Sequence, residues 1–357
     1  MRILQIIDSL EAGGAERMAV NYANALANEI EFSGLVVTRK EGLLLNQIKS
    51  NVSYLFLNKK SVLDIQSVMK LRKFVIQNTV EIVHAHGTSF FLAFLLKLTI
   101  PKIKMVWHEH YGARVSQSKK DNLLLLFTSF FFTSIFVVNH QLESWVRKNL
   151  FVKKVFYIPN FAVMDLNQPK LTLLKGNLGK RIVCLANLKN PKNHIALLNA
   201  FEKMKFYDKG WSLHLIGKDY NDDYSNCIKI FIKKHNLENK VFLYDSKNDI
   251  QHILSQATIG ILCSTDEGFP VSLLEYGLAK LAVVSTNVGY CSEIIQDNFS
   301  GLLFDPLNNK QIQNQLQKMV LDKEQRDGFA IHLHRLVLEN YSIEKGVEML
   351  ISKYNIL

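Results

Sequence analysis

Short apolar runs rich in β-branched residues alternate with longer amphipathic stretches along the whole chain. This alternation predicts βαβ units, in which parallel strands are covered by helices on both faces. The predicted strands of the first half are RILQIID, GLVVT, VSYLFL, EIVHAHG, KMVWHEH and SIFVVN. Those of the second half are KRIVCLAN, SLHLIG, VFLYDS, IGILCS, LAVVST and GLLFD.

The strand–helix pattern stops and restarts in the middle of the chain. The stretch near residues 161–179 is polar and contains proline, as linkers between domains do. A chain of 357 residues is also too long for one core and long enough for two. We therefore predict an α/β protein with two tandem, doubly wound, parallel-sheet (Rossmann-like) domains, at 1–165 and 178–342. Ligands bind beyond the carboxyl ends of such strands, so we expect a cleft between the domains.

One apolar stretch raises the question of a membrane span. Residues 122–138, NLLLLFTSFFFTSIFVV, are uncharged over 17 residues, which is at the lower limit for crossing a bilayer. Four Ser and Thr residues interrupt the stretch, and its end is β-branched like the other strands. We predict a buried helix that leads into a strand, with a transmembrane helix as the less favoured alternative. The N-terminus shows no predicted export signal.

Composition and charge indicate which kinds of binding partner the protein has. The chain is 48% hydrophobic and 21% charged, as folded globular proteins are. Its net charge of +11 is uneven, because residues 1–170 have 21 Lys and Arg against 12 Asp and Glu, while residues 171–357 have 22 against 20. A basic first half predicts an anionic partner: nucleic acid, an anionic membrane or a phosphate-bearing substrate. The four cysteines show no metal-ligand spacing, and those on strands are predicted core residues.

Two glycines follow the first predicted strand. Gly13 and Gly14 precede a helix predicted from about Ala15, and backbone N–H groups at such a turn can approach a phosphate. A plain strand-to-helix turn explains them equally well. The G-x-G-x-x-G fingerprint is absent, which disfavours a dinucleotide-dependent oxidoreductase.

Four histidines follow two predicted strands. Strand alternation places His84 and His86 on one face, and likewise His108 and His110. A zinc site is conceivable, but no Cys or carboxylate spacing supports it. We favour polar contacts with a substrate.

Two lysines lie in the turn ANLKNPKNH of the second half. Lys189 and Lys192 follow a strand and precede a helix N-terminus, where they would make a cradle for a diphosphate. The alternative is a solvated basic turn.

The stretch EGFPVSLLEYG, residues 267–277, contains two glutamates eight positions apart. Glu267 is predicted in a loop, Pro270 at the first position of a helix that runs to about Lys280, and Glu275 more than two turns along it. Both carboxylates come from one helix end, unlike the facing pair of a glycosidase. The geometry fits a sugar, a diphosphate and a ribose laid across the helix end. The anion would lie against the backbone N–H groups of Gly268, Phe269 and Val271.

EGFPVSLLEYG resembles the E-x7-E signature of the GT-B-fold retaining glycosyltransferases of family 4, also called glycosyl transferases group 1. Further matching stretches occur in order over essentially the whole chain: Gly-Gly-Ala-Glu after the first strand, HAHG, the histidine after KMVW, IPN at the linker, Lys192 and NVGYCSEIIQDNFSGLLF. The resemblance implies the GT-B fold, with an acceptor-binding first domain and a nucleotide-sugar-binding second domain. It also implies that a last helix, about 343–357, packs back on the first domain.

The resemblance further implies roles for single residues. Glu275 would bind the ribose hydroxyls, Glu267 the transferred sugar and Lys192 the diphosphate. His108 would lie near the reacting centre, with His110 as the alternative. No metal ion or other cofactor is expected, since lysine and helix ends stabilise the leaving group. The other donor-binding candidates are Gly13, Gly14, Lys189, Gly268, Phe269, Pro270 and Val271.

The predicted function is transfer of a hexose-type sugar from a UDP- or GDP-sugar, with retention at the anomeric carbon. The expected acceptor is a glycan or a polyprenyl-diphosphate-linked glycan of a bacterial capsule, exopolysaccharide or O-antigen. Asn187 departs from the resemblance, because many members have arginine there. We expect a cytoplasmic protein, peripheral on the inner face of the plasma membrane, whose anionic surface would attract basic residues. The candidates are Lys59, Lys60, Lys70, Arg72, Lys73, Lys119 and Lys120.

Two alternatives remain open. The first is a sugar-nucleotide epimerase or hydrolase of the same fold, against which the spacing of Glu267 and Glu275 argues. The second is a basic nucleic-acid-binding protein, prompted by a pI near 9.3. The basic residues are scattered and no aromatic stacking platform is evident, so we expect no nucleic acid partner.

Overall fold

The structure is a computed structural model that describes residues 1–118, 120–164 and 169–357. The predictions that involve Lys119 and the domain end at residue 165 therefore lie outside the described residues. Internal contacts divide the chain into two compact units. Unit 1 comprises Met1–Phe161 and Ile343–Leu357, and unit 2 comprises Ala162–Ser342.

Unit 1 contains a parallel sheet of seven strands. They are β1 (Arg2–Ser9), β2 (Phe32–Lys40), β3 (Ser53–Phe56), β4 (Ile82–His86), β5 (Lys104–Glu109), β6 (Ser134–Val137) and β7 (Val155–Tyr157). Their order is β3-β2-β1-β4-β5-β6-β7, so the winding direction reverses between β1 and β4. The helices between them are α1 (Gly14–Leu26), α2 (Ile65–Gln77), α3 (Phe90–Thr99), α4 (Leu123–Thr128) and α5 (His140–Asn149).

Unit 2 repeats the same winding with six parallel strands. They are β8 (Arg181–Leu185), β9 (Ser212–Ile216), β10 (Val241–Tyr244), β11 (Ile259–Leu262), β12 (Ala282–Thr286) and β13 (Leu302–Phe304). The order is β10-β9-β8-β11-β12-β13, with the reversal between β8 and β11. The helices are α6 (His194–Met204), α7 (Asp223–Lys234), α8 (Ile250–Ser255), α9 (Val271–Leu278), α10 (Cys291–Ile294), α11 (Asn309–Leu321) and α12 (Lys323–Asn340).

The last helix, α13 (Ile343–Asn355), belongs to unit 1 although it follows unit 2 in the chain. It packs against α1 through a face that includes the buried residues Val347, Leu350 and Tyr354. Gly346 allows α13 to approach Phe161 closely, since a side chain at this position would meet the Phe161 ring.

The fold class predicted from the hydrophobic pattern is confirmed. All twelve predicted runs contain a strand, and β1 and β11 are buried on both faces because helices cover both. The prediction missed β7, which has only three residues. Cys184 and Cys263, the cysteines on predicted strands, are buried free thiols in the core of unit 2.

The expectation of a fully buried helix in 122–138 is wrong in part. The helix α4 has six residues and a single 3-10 turn, Ser129–Phe131, leads from it towards β6. Several of its apolar side chains lie at the surface: Leu123, Leu124, Phe127 and Phe130 are all about half exposed or more. In the described part of the chain, every helix is too short or too polar to cross a bilayer.

Candidate active site

The loops after β8 and β11 bring Lys192 and Glu267 together in unit 2. These strands are neighbours at the reversal of strand order, the place where ligands bind in doubly wound sheets. Lys192 Nζ lies 2.6 Å from Glu267 Oε1, and the two side chains are 23% and 9% exposed. The Thr265 N–H donates to the Pro191 carbonyl at 2.9 Å and joins the two loops. The structure thus unites the lysine predicted for the diphosphate with the glutamate predicted for the sugar.

Tyr276 of α9 hydrogen-bonds both β8 and β11 beyond the last residues at which these strands pair with each other. Its buried hydroxyl accepts the Leu185 N–H at 2.7 Å and lies 3.3 Å from the Ile261 carbonyl, to which it donates. β8 and β11 are paired only near their starts, so the tyrosine supplies hydrogen bonds where the ladder ends. Gly260 makes room for the ring, because a Cβ there would contact it. Sequence reasoning missed this role, because the tyrosine directly follows Glu275 and carries no signal of its own.

Gly289 supports the Glu267 loop from the end of β12. Its φ is +56°, in the left-handed region that favours glycine. A Cβ built on it would collide with the Glu267 carbonyl oxygen. The glycine in NVGYCSEIIQDNFSGLLF therefore fixes the backbone that carries the glutamate.

The helix after Glu267 differs from the predicted one. Pro270 is the residue before α9, with φ −77° and ψ 101°, rather than its first helical residue. Glu275 is the fifth residue of α9, a little more than one turn from its start instead of more than two. The carboxylate is therefore nearer to the helix N-terminus than the sequence suggests.

The residues between the two glutamates contribute backbone rather than side chains to the candidate site. Phe269 and Val271 are both buried. The Phe269 ring stacks on Tyr290 at 4.8 Å and meets Tyr341 edge-on at 5.6 Å. A backbone cradle for a phosphate, formed by Phe269 and Val271 with Gly268 and Pro270, stays a prediction.

Lys189 and Asn187 lie on the loop after β8. The exposed Lys189 ammonium is 5.9 Å from the centroid of the Tyr220 ring. Asn187 Oδ1 accepts the Lys218 backbone N–H at 2.9 Å and so fastens the loop after β9. At the position where the resemblance expects arginine, this chain has a residue with a structural hydrogen bond.

Gly13 and Gly14 mark the start of α1 in unit 1. α1 begins at Gly14, one residue earlier than predicted, and Gly13 caps it in an extended conformation with φ −142° and ψ 164°. Such backbone does not require glycine, and the space around Gly14 is open. A phosphate contact through these backbone amides stays a prediction.

Four histidines of unit 1, His84, His86, His108 and His110, form a stacked cluster at the carboxyl ends of β4 and β5. The ring centroids of His84 and His86 are 4.5 Å apart, and those of His108 and His110 are 4.1 Å apart. Each pair lies on one face of its strand, as alternation predicts. Tyr22 of α1 stacks on three of the rings at 5.7 to 5.9 Å.

The structure separates the two candidates for the reacting centre. His108 is completely buried, with Nδ1 3.2 Å from His84 Nε2. His110 lies one residue beyond β5 and is partly exposed as a residue, although its Nδ1 is shielded. Of the two, His110 is the less buried residue, and which of them lies near the reacting centre stays a prediction.

Burial keeps the cluster uncharged at neutral pH. Loss of hydration lowers the pKa values of His84, His86 and His108 well below the usual range, and their mutual repulsion adds to this. The same burial lowers the pKa of His110 to about 3. The histidines therefore act as hydrogen-bonding groups rather than as cations.

The cluster does not fit a metal ion, although three of its members are close enough to be considered. The ligand atoms of His84, His86 and His108 lie within 4.8 Å of one another. Their rings are nearly parallel, with interplanar angles of 9° to 26°. Because nitrogen lone pairs lie in the ring plane, stacked rings cannot converge on one tetrahedral ion.

Comparison with known proteins identifies the family. A model described as Glycosyl transferases group 1 matches residues 173–331, and one described as Glycosyltransferase Family 4 matches residues 12–165. The chain is a glycosyltransferase with the GT-B fold. Both halves of the glycosyltransferase thus match the families that the E-x7-E resemblance implied.

Individual relatives agree with this assignment. The glycosyltransferase is 22% identical to the UDP-Gal:α-D-GlcNAc-diphosphoundecaprenol α-1,3-galactosyltransferase of Escherichia coli, over 87% of this chain and 85% of that protein. It is also 22% identical to the O-antigen biosynthesis glycosyltransferase WbnH of E. coli, over 94% and 96% of the two chains. The crystal structure of HepE from Anabaena, in complex with UDP and glucose, has a TM-score of 0.83 at 15% identity and covers both chains completely. At that identity the structure shows the shared fold.

Proposed function

We propose that the enzyme transfers a sugar from a UDP-sugar to a lipid-linked glycan during synthesis of a bacterial surface polysaccharide, with retention of the anomeric configuration. The observation that carries the proposal is the Lys192–Glu267 pair at the reversal of strand order in unit 2. Two relatives named for galactosyl transfer and O-antigen synthesis support the class of acceptor. The UDP-bound neighbour HepE and the relative named for UDP-Gal support uracil as the base.

The ion pair suits the binding of a diphosphate and a sugar at one place. Lys192 can turn from the carboxylate to phosphate oxygens, and its charge then stabilises the leaving diphosphate. Glu267, released from the lysine, accepts hydrogen bonds from sugar hydroxyls. Each group thus has a partner in both states, so neither charge is left unpaired in a half-buried site.

The other roles follow from position. Glu275 accepts the ribose hydroxyls, and the backbone between it and Glu267 holds a phosphate near the start of α9. Lys189 adds an exposed positive charge on the adjoining loop. In unit 1, His110 contacts a substrate hydroxyl.

Nucleotide binding tests the donor proposal directly. Thermal stability of the purified protein is measured with UDP, GDP, ADP and CMP, for the wild type and for Glu275→Ala. A ligand at 100 times its Kd stabilises by about 2.7 kcal/mol. We expect such a shift with UDP and its loss in Glu275→Ala. Glu238→Ala is the control, because this exposed residue precedes β10 at the opposite edge of the sheet.

Three results would count against the proposed function. A shift with GDP but not with UDP would show that the donor carries guanine rather than uracil. The absence of any nucleotide shift in a folded wild type would remove the role assigned to the ion pair. Hydrolysis of the UDP-sugar to UDP and free sugar, without transfer to a GlcNAc-diphosphoundecaprenol acceptor, would favour a hydrolase.

We also propose that unit 1 docks on an anionic membrane through the outer side of α2. This helix exposes Ile65 (75%), Met69 (52%) and Ile76 (49%), which recur at helical spacing. Lys70 and Lys73 are exposed between them, and α2 contains no carboxylate. Apolar side chains interleaved with lysines are typical of helices that lie in a membrane interface.

The neighbouring helices extend the same kind of surface. α3 packs against both α2 and α4. Beyond α3, Phe127 of α4 is 57% exposed, and Phe130 of the turn that follows α4 is 60% exposed. Phe130 stacks on the exposed Phe151 at 4.1 Å. Each lysine near an anionic surface contributes about 1 kcal/mol.

Vesicle sedimentation tests the docking surface. We expect binding to vesicles rich in phosphatidylglycerol, weaker binding to phosphatidylcholine, and at least tenfold weaker binding after Lys70→Glu with Lys73→Glu. The matched control is Lys233→Glu with Lys234→Glu, which reverses the charge of two exposed lysines at the end of α7 in unit 2. Equal binding of the two charge-reversed proteins would contradict the proposal.

A further inference from the structure

A buried glutamine at the centre of unit 1 has no part in the donor site. Gln5 lies on β1, is fully buried, and is opposite His84 in the parallel register with β4. A polar amide in the middle of a core strand is costly unless both of its ends are hydrogen-bonded. Its two ends lead to two different histidines of the cluster.

The oxygen end of the amide determines which nitrogen of His86 carries the proton. Gln5 Oε1 lies 2.8 Å from His86 Nε2, and a carbonyl oxygen can only accept. His86 Nε2 must therefore be the donor. Since this imidazole is neutral, His86 Nδ1 carries no proton and can only accept.

The same logic passes to the next ring. His86 Nδ1 lies 3.0 Å from His110 Nε2, so His110 Nε2 must carry the hydrogen. The neutral His110 ring then has an unprotonated Nδ1. This nitrogen is shielded by protein and has no hydrogen-bond partner within the described chain.

The contacts at the nitrogen end of the amide are consistent with this direction. Gln5 Nε2 donates towards the Tyr354 hydroxyl at 3.5 Å, and that hydroxyl hydrogen-bonds His84 Nδ1. The tyrosine has one proton to give, which it donates to His84. With the amide turned over, His86 Nε2 would have to accept and the pattern in the other rings would reverse.

We propose that Gln5 and His86 are positioning residues that fix His110 in its Nε2–H tautomer, so that His110 offers an unprotonated Nδ1 to a substrate hydroxyl. The proposal rests on the proposed function only in the contact between His110 and substrate. An acceptor atom left without a partner in a shielded place costs about 1–3 kcal/mol. A substrate hydroxyl that donates to it removes this cost on binding.

Solution NMR tests the tautomers without any assay of activity. In protein labelled with 15N-histidine, long-range proton–nitrogen correlations show which ring nitrogen is protonated, and His→Gln variants assign the signals. At pH 7.5 we expect the hydrogen on Nε2 in both His86 and His110. In Gln5→Met, which has no amide, we expect that fixed pattern to be lost.

Kinetics test the consequence for the reaction. UDP release from the UDP-sugar is followed in wild type and Gln5→Met. We expect kcat to fall about 10- to 100-fold, as for other partners that orient a histidine, with the donor KM within twofold. Tyr22→Phe is the matched control, since it stacks on the same histidines but its hydroxyl has no partner in the described structure. It should leave both the tautomers and kcat unchanged.

Three outcomes would overturn the proposal, and they separate its parts. A hydrogen on Nδ1 of His86 or His110 in the wild type would show that the relay runs the other way. An unchanged pattern and kcat in Gln5→Met would show that the glutamine does not direct it. Full activity of His110→Ala, where the wild type has the expected Nε2–H pattern, would mean that His110 does not meet substrate.

Discussion

Mild acid should destabilise unit 1 through its buried histidines. In the folded state His84, His86 and His108 stay neutral, because burial holds their pKa values well below the usual range. In the unfolded chain each titrates near pH 6.5. Stability is therefore fully present above about pH 6.5 and is lost as the pH falls below it, since only the unfolded state takes up protons.

The size of the effect follows from linkage. Between pH 7 and pH 5 one such histidine removes about 2 kcal/mol from the free energy of unfolding. Three of them remove about 6 kcal/mol, and His110, whose pKa is lowered to about 3, adds to the loss. Domains are stable by about 5–15 kcal/mol, so unit 1 should be close to unfolding at pH 5.

A tryptophan background isolates unit 1 in the assay. The chain has three tryptophans: Trp107 and Trp145 lie in unit 1 and Trp211 in unit 2. In Trp211→Phe, fluorescence during urea unfolding reports on unit 1 alone. The free energy of unfolding is measured at pH 7 and pH 5 with and without His108→Gln.

The comparison between the two pH values tests the reasoning. We expect His108→Gln to lose about 2 kcal/mol less than its parent between pH 7 and pH 5, whatever its stability at pH 7. His140→Gln is the control, because this histidine of α5 is exposed and should leave the difference unaltered. Equal losses in His108→Gln and its parent would refute the claim that burial keeps His108 neutral.

Three further substitutions probe single contacts. Tyr22→Phe should raise the free energy of unfolding by about 1 kcal/mol, because it deletes a buried hydroxyl without a described partner. A lower free energy of unfolding, measured with urea, would show that the hydroxyl makes a hydrogen bond. Gly289→Ala should cost about 1–3 kcal/mol and weaken UDP binding, since its φ is +56° and its methyl would meet the Glu267 carbonyl. Calorimetry with UDP compares it with Gly328→Ala, which has open space on α12 and should not lower Tm. Tyr276→Phe should cost about 1–3 kcal/mol by leaving the Leu185 N–H unpaired, and unchanged hydrogen exchange at that amide would contradict it.

The sequence predicted the sheets well because buried parallel strands leave a strong local signal. Predominantly apolar runs such as RILQIID and IGILCS end at a change of composition. The failures lie where that signal is weak or ambiguous. β7 is too short to stand out, and an uncharged run such as 122–138 looks the same whether its helix is covered or exposed.

The site was predictable in its residue types but not in its contacts. Lys192 and Glu267 were chosen separately, and their ion pair spans 75 positions of the chain. The bond between Gln5 and His86 spans 81 positions, and the one between Gln5 and Tyr354 spans 349. Pattern and spacing carry no information on such pairs, because they depend on how distant strands are ordered in the sheet.

The fixed spacing of the two glutamates has a structural explanation beyond the ligand. Between Glu267 and Glu275, the side chain of Phe269 is packed against Tyr290, which fixes the turn before α9. One position after Glu275, Tyr276 hydrogen-bonds β8 and β11. One residue more or fewer within α9 would rotate the tyrosine and the glutamate by about 100° about the helix axis. Tyr276 would then lose its hydrogen bonds to β8 and β11. The packing that anchors α9 therefore also fixes how far apart the two carboxylates lie.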